Sequence, residues 1–207
     1  MRIWDLPVRL YHWLQAGLVI TLLITGWTGR GSAGLHQLAG YALLILWLWR
    51  VQWGLWGSST TRFGQLISTI QRLPGYLQGR ASSIPGHNPL GAIMVLALLL
   101  LLAGQIISGL VGSELFNADA SRTAARWAIF IHTQLAILIT IAVSLHVLAV
   151  CWHEYKGERL TQAMITGIRD IRGQPPRLQS KRLAAGLLFI SISMSVGYLA
   201  ISMRVFI

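Results

Sequence analysis

A chain of 207 residues could fold as one or two soluble domains, but 54% apolar against 11% charged residues excludes an ordinary soluble domain. The formal net charge of +11 makes nucleic acid the first partner to consider. The placement of that charge argues against it, because the basic residues fall in alternate loops between long apolar blocks instead of forming one patch.

A bilayer core about 30 Å thick needs roughly 20 apolar residues of helix. Five blocks meet that requirement, at residues 10–29, 35–57, 90–112, 127–152 and 183–203, and none places a carboxylate in lipid. Helix is the expected form, since backbone groups in lipid must be satisfied within their own segment. A β-barrel would need short alternating strands. The first block reads as a span and not as a cleaved leader: it lacks a small-residue cleavage pattern and its apolar run is too long.

The link between the first two blocks is short, so they are expected to be antiparallel neighbours. The next link, residues 58–89, carries Phe63, Leu66, Ile67, Ile70 and Leu73 at helical spacing, with Arg62, Arg72 and Arg80 around them. It reads as a short helix lying in the membrane interface, ended or kinked at Pro74. Pro89 suits the first turn of the third span, with Asn88 as its N-cap. After the fourth span, Leu160, Met164, Ile168 and Ile171 form a second amphipathic stripe, and the Gln-Pro-Pro at 174–176 then breaks the chain. The fifth span follows Lys181 and Arg182.

Arg2, Arg9, Arg62, Arg72, Arg80, Lys156, Arg159, Arg169, Arg172, Arg177, Lys181 and Arg182 fall on one face of this topology. Only Arg30, Arg122, Arg126 and Arg204 fall on the other. The bias places the N-terminus in the cytoplasm and the C-terminus outside, with anionic lipid headgroups as counter-charge. Trp4, Trp13, Trp27, Trp53, Trp56, Trp127 and Trp152 cluster at helix ends as an interfacial aromatic belt. Cys151 is alone, so no disulfide framework exists within the chain, and no C-x-x-C-H offers covalent haem attachment. It reads as a small buried apolar residue.

Ionisable side chains inside a membrane are costly and by default functional hypotheses. Of the six histidines, His12, His36, His132 and His146 lie within or at the ends of apolar helices, and His87 and His153 lie beside them. Depth sorts the first four into two pairs, His12 with His146 near the cytoplasm and His36 with His132 near the outside. His132 and His146 are 14 residues apart. At about 100° per residue that is nearly four turns, so both rings leave one face, roughly 21 Å apart along the axis.

Haem iron accepts axial histidines, and helix bundles build cofactor sites from facing side chains. Two bis-histidine haems stacked across the membrane satisfy these facts. Any one helix histidine alone reads more simply as a structural residue. A metal transporter would normally add carboxylates or thiolates along the path. Gly17, Gly26, Gly40, Gly104 and Gly109 leave room for a flat porphyrin or for close helix packing, and both readings stay open.

The segments WDLPVRLYHW (4–13), LHQLAGYALL (35–44), GHNPLG (86–91), LHVLAV (145–150) and RLTQAMITG (159–167) carry a resemblance. Together they resemble the prokaryotic cytochrome b561 and nickel-hydrogenase cytochrome b group, over residues 1 to about 170 and in family order. The resemblance implies an all-α membrane protein of the bacterial inner membrane, a four-helix bundle holding two b haems. It implies His12, His36, His132 and His146 as iron ligands. It further implies electron exchange between the quinone pool and a partner: a periplasmic hydrogenase or dehydrogenase, a c-type cytochrome, or a small oxidant such as superoxide. The chain departs from the family in its fifth helix. The expected division is therefore a di-haem bundle at 1–170, then a linker and an added transmembrane helix at 171–207, a candidate docking surface for another subunit.

Arg9 and Arg50 then have two readings each, as partners of a haem propionate or a bound quinone, or as anchors at helix ends. His87 and His153, the latter with Glu154, are candidates for passing protons to a quinone near the inner haem. The leading functional expectation is electron transfer between quinone and a redox partner. A stand-alone quinol oxidoreductase is the second, and a non-redox transporter or scaffold the third.

Overall fold

The computed structural model describes residues 1–29, 32–80, 86–113, 122–170 and 175–204, the side chains of 122 and 201–204 aside. Arg30, Ile171, Arg172 and Gln174 lie outside the described residues. Helix α1 (Leu6–Thr28) starts on Asp5, whose Oδ1 accepts a hydrogen bond from Val8 N at 2.7 Å, with proline in the first turn. It stops at Gly29, whose φ of 62° needs a residue without a Cβ. Helix α2 (Ala33–Trp56) returns antiparallel against it.

A 3-10 turn at Ser59–Thr61 leads into α3 (Phe63–Ile70) and α4 (Leu73–Leu77). The single amphipathic helix expected here is thus two, and Pro74 opens the second, not closing the first. Proline has no N–H to lose in a first turn, so that position suits it. Helix α5 (Pro89–Gly112) begins as the sequence indicates, with Asn88 Oδ1 accepting from Gly91 N at 2.7 Å. Helix α6 (Arg122–Tyr155) runs 34 residues, beyond both ends of its apolar block. Helices α7 (Leu160–Thr166) and α8 (Lys181–Arg204) complete the chain. Among the described residues five helices (α1, α2, α5, α6 and α8) are long and apolar enough to cross a membrane. The fold is an all-α membrane bundle.

Helices α1 and α2 pack as one hairpin and α5 and α6 as another, with α2 also touching α5. The layer joining the two hairpins consists of Val19, Leu43, Leu102 and Ile139, each 8% exposed or less. Val19 lies seven residues after His12, Leu43 seven after His36, and Ile139 seven from both His132 and His146. Seven residues are about two turns, roughly 10 Å of rise. The layer therefore lies midway between the two histidine levels and separates them.

Helix α8 docks on α2 and α1 through Tyr11, Trp49, Trp53, Ala184 and Leu187. Trp49 Nε1 donates to Ala184 O at 3.0 Å and Gln52 Nε2 to Ser191 Oγ at 2.8 Å. Such polar contacts hold membrane helices together where lipid removes any hydrophobic drive. This corrects the reading of Trp53 as a belt residue, since it is fully buried against α8. Trp4 is corrected likewise. It packs with Ile3, Val8 and Ala163 where the N-terminus meets α7. Trp13, Trp27, Trp56, Trp127 and Trp152 remain exposed, as a belt requires.

At that junction Ile3 N donates to Gly167 O at 2.8 Å, and Arg2 pairs with Ile168 as an isolated β-bridge. The stripe expected over α7 is only partly real. Ala163 is the buried residue, whereas Ile168 lies beyond the helix and is exposed. Cys151 is exposed on α6 instead of buried.

Candidate functional site

The four membrane histidines meet in the pairs that depth indicates. The His12 and His146 ring centroids lie 6.4 Å apart, and those of His36 and His132 lie 6.2 Å apart. Two imidazoles sharing one metal, each nitrogen about 2 Å from it, put their centroids about 6 Å apart. Both pairs have that separation, each between one helix of the first hairpin and α6. We call His12–His146, on the side of the N-terminus, the near pair, and His36–His132 the far pair. Among the described residues no three His, Cys, Asp or Glu side chains converge on one point. Two imidazoles per level suit a metal whose other ligands belong to a planar macrocycle, as in haem.

The far pair opens onto a cavity of about 500 Å³, lined by residues of α1, α2, α5 and α6 that include Gly26, Gly40, Leu43, Leu102, Gly109 and Ile139. That is the size range of cofactor sites. The residues present fit haem there. Gly26 and Gly109 face the two imidazoles, and a Cβ on Gly40 would meet nothing within 4 Å. Gly17 is open in the same way, while a Cβ on Gly104 would meet Leu135 of α6 at 3.1 Å. The glycines thus divide between room for a ring and room for a neighbouring helix.

Polar neighbours fix the far rings. Thr25 Oγ1 lies 2.9 Å from His36 Nδ1, and Gln105 O lies 3.0 Å from His132 Nδ1, with Ser108 Oγ at 3.2 Å. The Gln105 amide lies 3.0 Å from His132 Nε2. Iron at that nitrogen requires the Gln105 side chain to turn aside, which its rotatable bonds permit. Sequence reasoning missed Thr25, Gln105 and Ser108. The signal available was a repeated dipeptide, Thr25–Gly26 and Ser108–Gly109, each a hydroxyl residue followed by glycine.

The remaining candidates separate by what already engages them. The Arg9 guanidinium donates to Ile165 O and, through Nε at 3.4 Å, to Asp5 O, tying α7 to α1. His153 Nδ1 lies 2.7 Å from Glu158 Oε1, whose other oxygen lies 2.6 Å from Arg169 Nη2. Glu154 accepts from Thr161 N at 2.5 Å. Arg50 is 4% exposed, donates to Thr61 O at 3.2 Å and lies over the Phe63 ring at 5.7 Å. It is therefore not the headgroup anchor that its place near a helix end suggests. Its Nη1 is sealed from solvent and has no partner among the described residues.

Among the histidine candidates outside the two pairs, His87 keeps an unengaged ring nitrogen: its ring lies 4.8 Å from that of Trp4, and its Nδ1 is sealed without a partner among the described residues. Burial, and after it the positive charges of Arg50, His146 and His12, push the His87 imidazole down to about 3. The ring is neutral at neutral pH, and it lies within electrostatic reach of the near pair.

The sequence profile described as prokaryotic cytochrome b561 matches residues 3–167. Similar curated proteins carry the name probable Ni/Fe-hydrogenase B-type cytochrome subunit. That of Cupriavidus necator is 23% identical over 214 residues, covering 82% of this chain and 87% of that protein. That of Bradyrhizobium diazoefficiens is 26% identical, covering 52% and 55%, and that of Azotobacter vinelandii is 25% identical, covering 61% and 62%. No solved structure matches the chain. The profile begins at Ile3 and ends at Gly167, two residues whose backbones are hydrogen-bonded to each other. Everything enclosed between them, both histidine pairs included, falls within the match. The chain belongs to the prokaryotic cytochrome b561 family, membrane proteins that carry electrons on haem b.

Proposed function

We propose that this protein moves electrons between a quinone and a redox partner through two b haems, one between His12 and His146 and one between His36 and His132. The observation that carries the reading is the pair of ring separations, 6.4 and 6.2 Å, at two depths of one bundle. Bound haem supplies one-electron exchange at iron, which no side chain of this set provides. The chain supplies position. Helix α6 offers both of its ligands from one face, and the Val19–Leu43–Leu102–Ile139 layer keeps water from the space between the levels.

The bias of the basic loops supports an N-terminus, and so a near pair, on the cytoplasmic side of a bacterial inner membrane. The relatives' printed names support a hydrogenase as the partner. A c-type cytochrome or a dehydrogenase would serve the same chemistry. Residues 1–170 form the haem-binding unit, and α8 is added to its outside on α2. His87 is the residue we assign to quinone chemistry near the inner haem, because its Nδ1 is buried and finds no partner among the described residues. Arg9 and His153 are held by other groups.

Haem counting tests the reading. Purified protein reduced with dithionite is expected to show b-type bands and two haems per chain. Alanine at any one of the four histidines is expected to lower the count to about one. His12 and His146 variants should lose one haem, and His36 and His132 variants the other. A wild-type count of one, or a variant that keeps both haems, overturns it.

A further inference from the structure

The far pair has a hydrogen-bond arrangement from which ring orientation follows by counting hydrogens. Thr25 Oγ1 has one hydrogen, and it is donated to Thr21 O at 2.7 Å. Toward His36 Nδ1, at 2.9 Å, the same oxygen can only accept. His36 Nδ1 therefore carries the ring proton, and its Nε2 lone pair is left for the cavity. His132 Nδ1 faces Gln105 O, a carbonyl that can only accept. Ser108 Oγ donates to that same carbonyl at 3.1 Å and so also accepts from the ring.

Thr25 and Ser108 are buried, at 8% and 7% exposed. Each is followed by the glycine that faces the ring it binds. A Cβ on Gly26 would lie 3.4 Å from His36 Cε1, and one on Gly109 would lie 2.9 Å from His132 Cε1. Two helices from different hairpins thus present the same device, a hydroxyl to hold Nδ1 and a gap to admit the ring. Among the described residues the near pair has no counterpart to it at His12, whose Nδ1 is sealed without a partner there.

We propose that Thr25, with Ser108 in support, is a positioning residue for the far haem: it holds His36 with Nε2 toward iron and lowers that haem's reduction potential. This rests on the proposed seat of a haem between His36 and His132. The physical cause is ligand basicity. An imidazole that donates its other N–H to an acceptor becomes a stronger donor to the metal. A stronger donor stabilises ferric over ferrous iron. Thr25 acts through His36 and not on any reacting atom.

The test is a spectroelectrochemical titration of the full chain in detergent, comparing wild type with Thr25→Val, Thr25→Ser and Ser108→Ala. Valine keeps the shape of threonine and removes the hydroxyl acceptor, leaving the Leu22 carbonyl, which also accepts a hydrogen bond from the His36 ring. Thr25→Val is expected to raise one of two haem midpoints, so that the ferrous-to-ferric ratio there rises about three- to tenfold at the wild-type midpoint; tenfold is 59 mV for one electron. Thr25→Ser keeps the hydroxyl and is expected to restore the wild-type value. Ser108→Ala is expected to shift the same haem in the same direction by less, because Gln105 O still accepts from His132. Loss of one haem in Thr25→Val, with the other midpoint unchanged and both kept in Thr25→Ser, also supports the proposal. Two bound haems with unchanged midpoints in Thr25→Val, or equal shifts in the serine and valine variants, overturn it. If instead His36→Ala still binds two haems, the seat of the haem is what fails.

Discussion

Gly109 faces His132 so closely that a Cβ built on it would lie 2.9 Å from the ring's Cε1. Real Cβ atoms are not found that close, so either the ring or α5 must move. Gly109→Ala is expected to weaken far-haem retention about tenfold, within the roughly 1–3 kcal/mol range of overpacking. The measurement is haem loss to a scavenger protein, followed by absorbance. Gly26→Ala, with ordinary contact at 3.4 Å, is expected to stay within about twofold of wild type. Equal losses from the two variants would show that the ring's fit is not what matters.

His87 and His153 should differ. His87→Ala is expected to slow haem reduction by quinol at least about a hundredfold if it handles a proton in that step. Reduction by dithionite should be unchanged. His153→Ala breaks a contact with Glu158 at the edge of the bundle and is expected to leave quinol-driven rates within about twofold. Stopped-flow absorbance with a soluble quinol checks both. An unaffected His87→Ala protein would remove that residue from the chemistry.

The junction between the N-terminus and α7 gives a stability prediction. Gly167 has φ of 80°, and a Cβ there would lie 2.6 Å from Trp4 O. Gly167→Ala combines strained backbone with a clash and is expected to cost about 2–3 kcal/mol. For a chain of this size that lowers the unfolding midpoint by very roughly 5 °C. Gly157→Ala, at φ 85° with nothing within 4 Å, carries only the strain and should lose less. Thermal melts followed by haem absorbance would reverse the reading if Gly157→Ala were the worse of the two.

Among the described residues, none of helix α8 lines the far cavity. A chain ended after residue 170 is therefore expected to keep two haems while melting at lower temperature. Its loss would expose Trp49 and Trp53, which are 5% and 0% exposed in the full chain. Loss of either haem from the shortened protein would show that residues 1–170 are not a self-sufficient unit.

Much of this is legible in the chain because a bilayer makes unusual demands. The blocks had to be helices, and a helix has a fixed rise, so histidine depth can be read by counting. Asn88 before Pro89 marks a helix start on local chemistry alone. What escaped was rotational. Thr21, Thr28, Thr133 and Thr140 each donate to a carbonyl four residues back, and so does Thr25. The glycine that follows Thr25 also follows Thr28, so that pattern does not single out the one threonine that also holds a histidine. Trp53 was misread for the same reason, since an indole near a helix end looks alike whether it meets headgroups or another helix. The second amphipathic stripe shrank to a seven-residue helix because Gly167 and Ile168 bond to the N-terminus instead of extending α7.

Hydropathy and helical period are local quantities. By themselves they determined that the chain lives in a membrane, where it crosses, and that four histidines fall at two depths. The turn of each helix about its own axis is set by its neighbours. Only packing decided that His36 finds Thr25, that Arg50 is buried beneath a 3-10 turn, and that α8 covers Trp53.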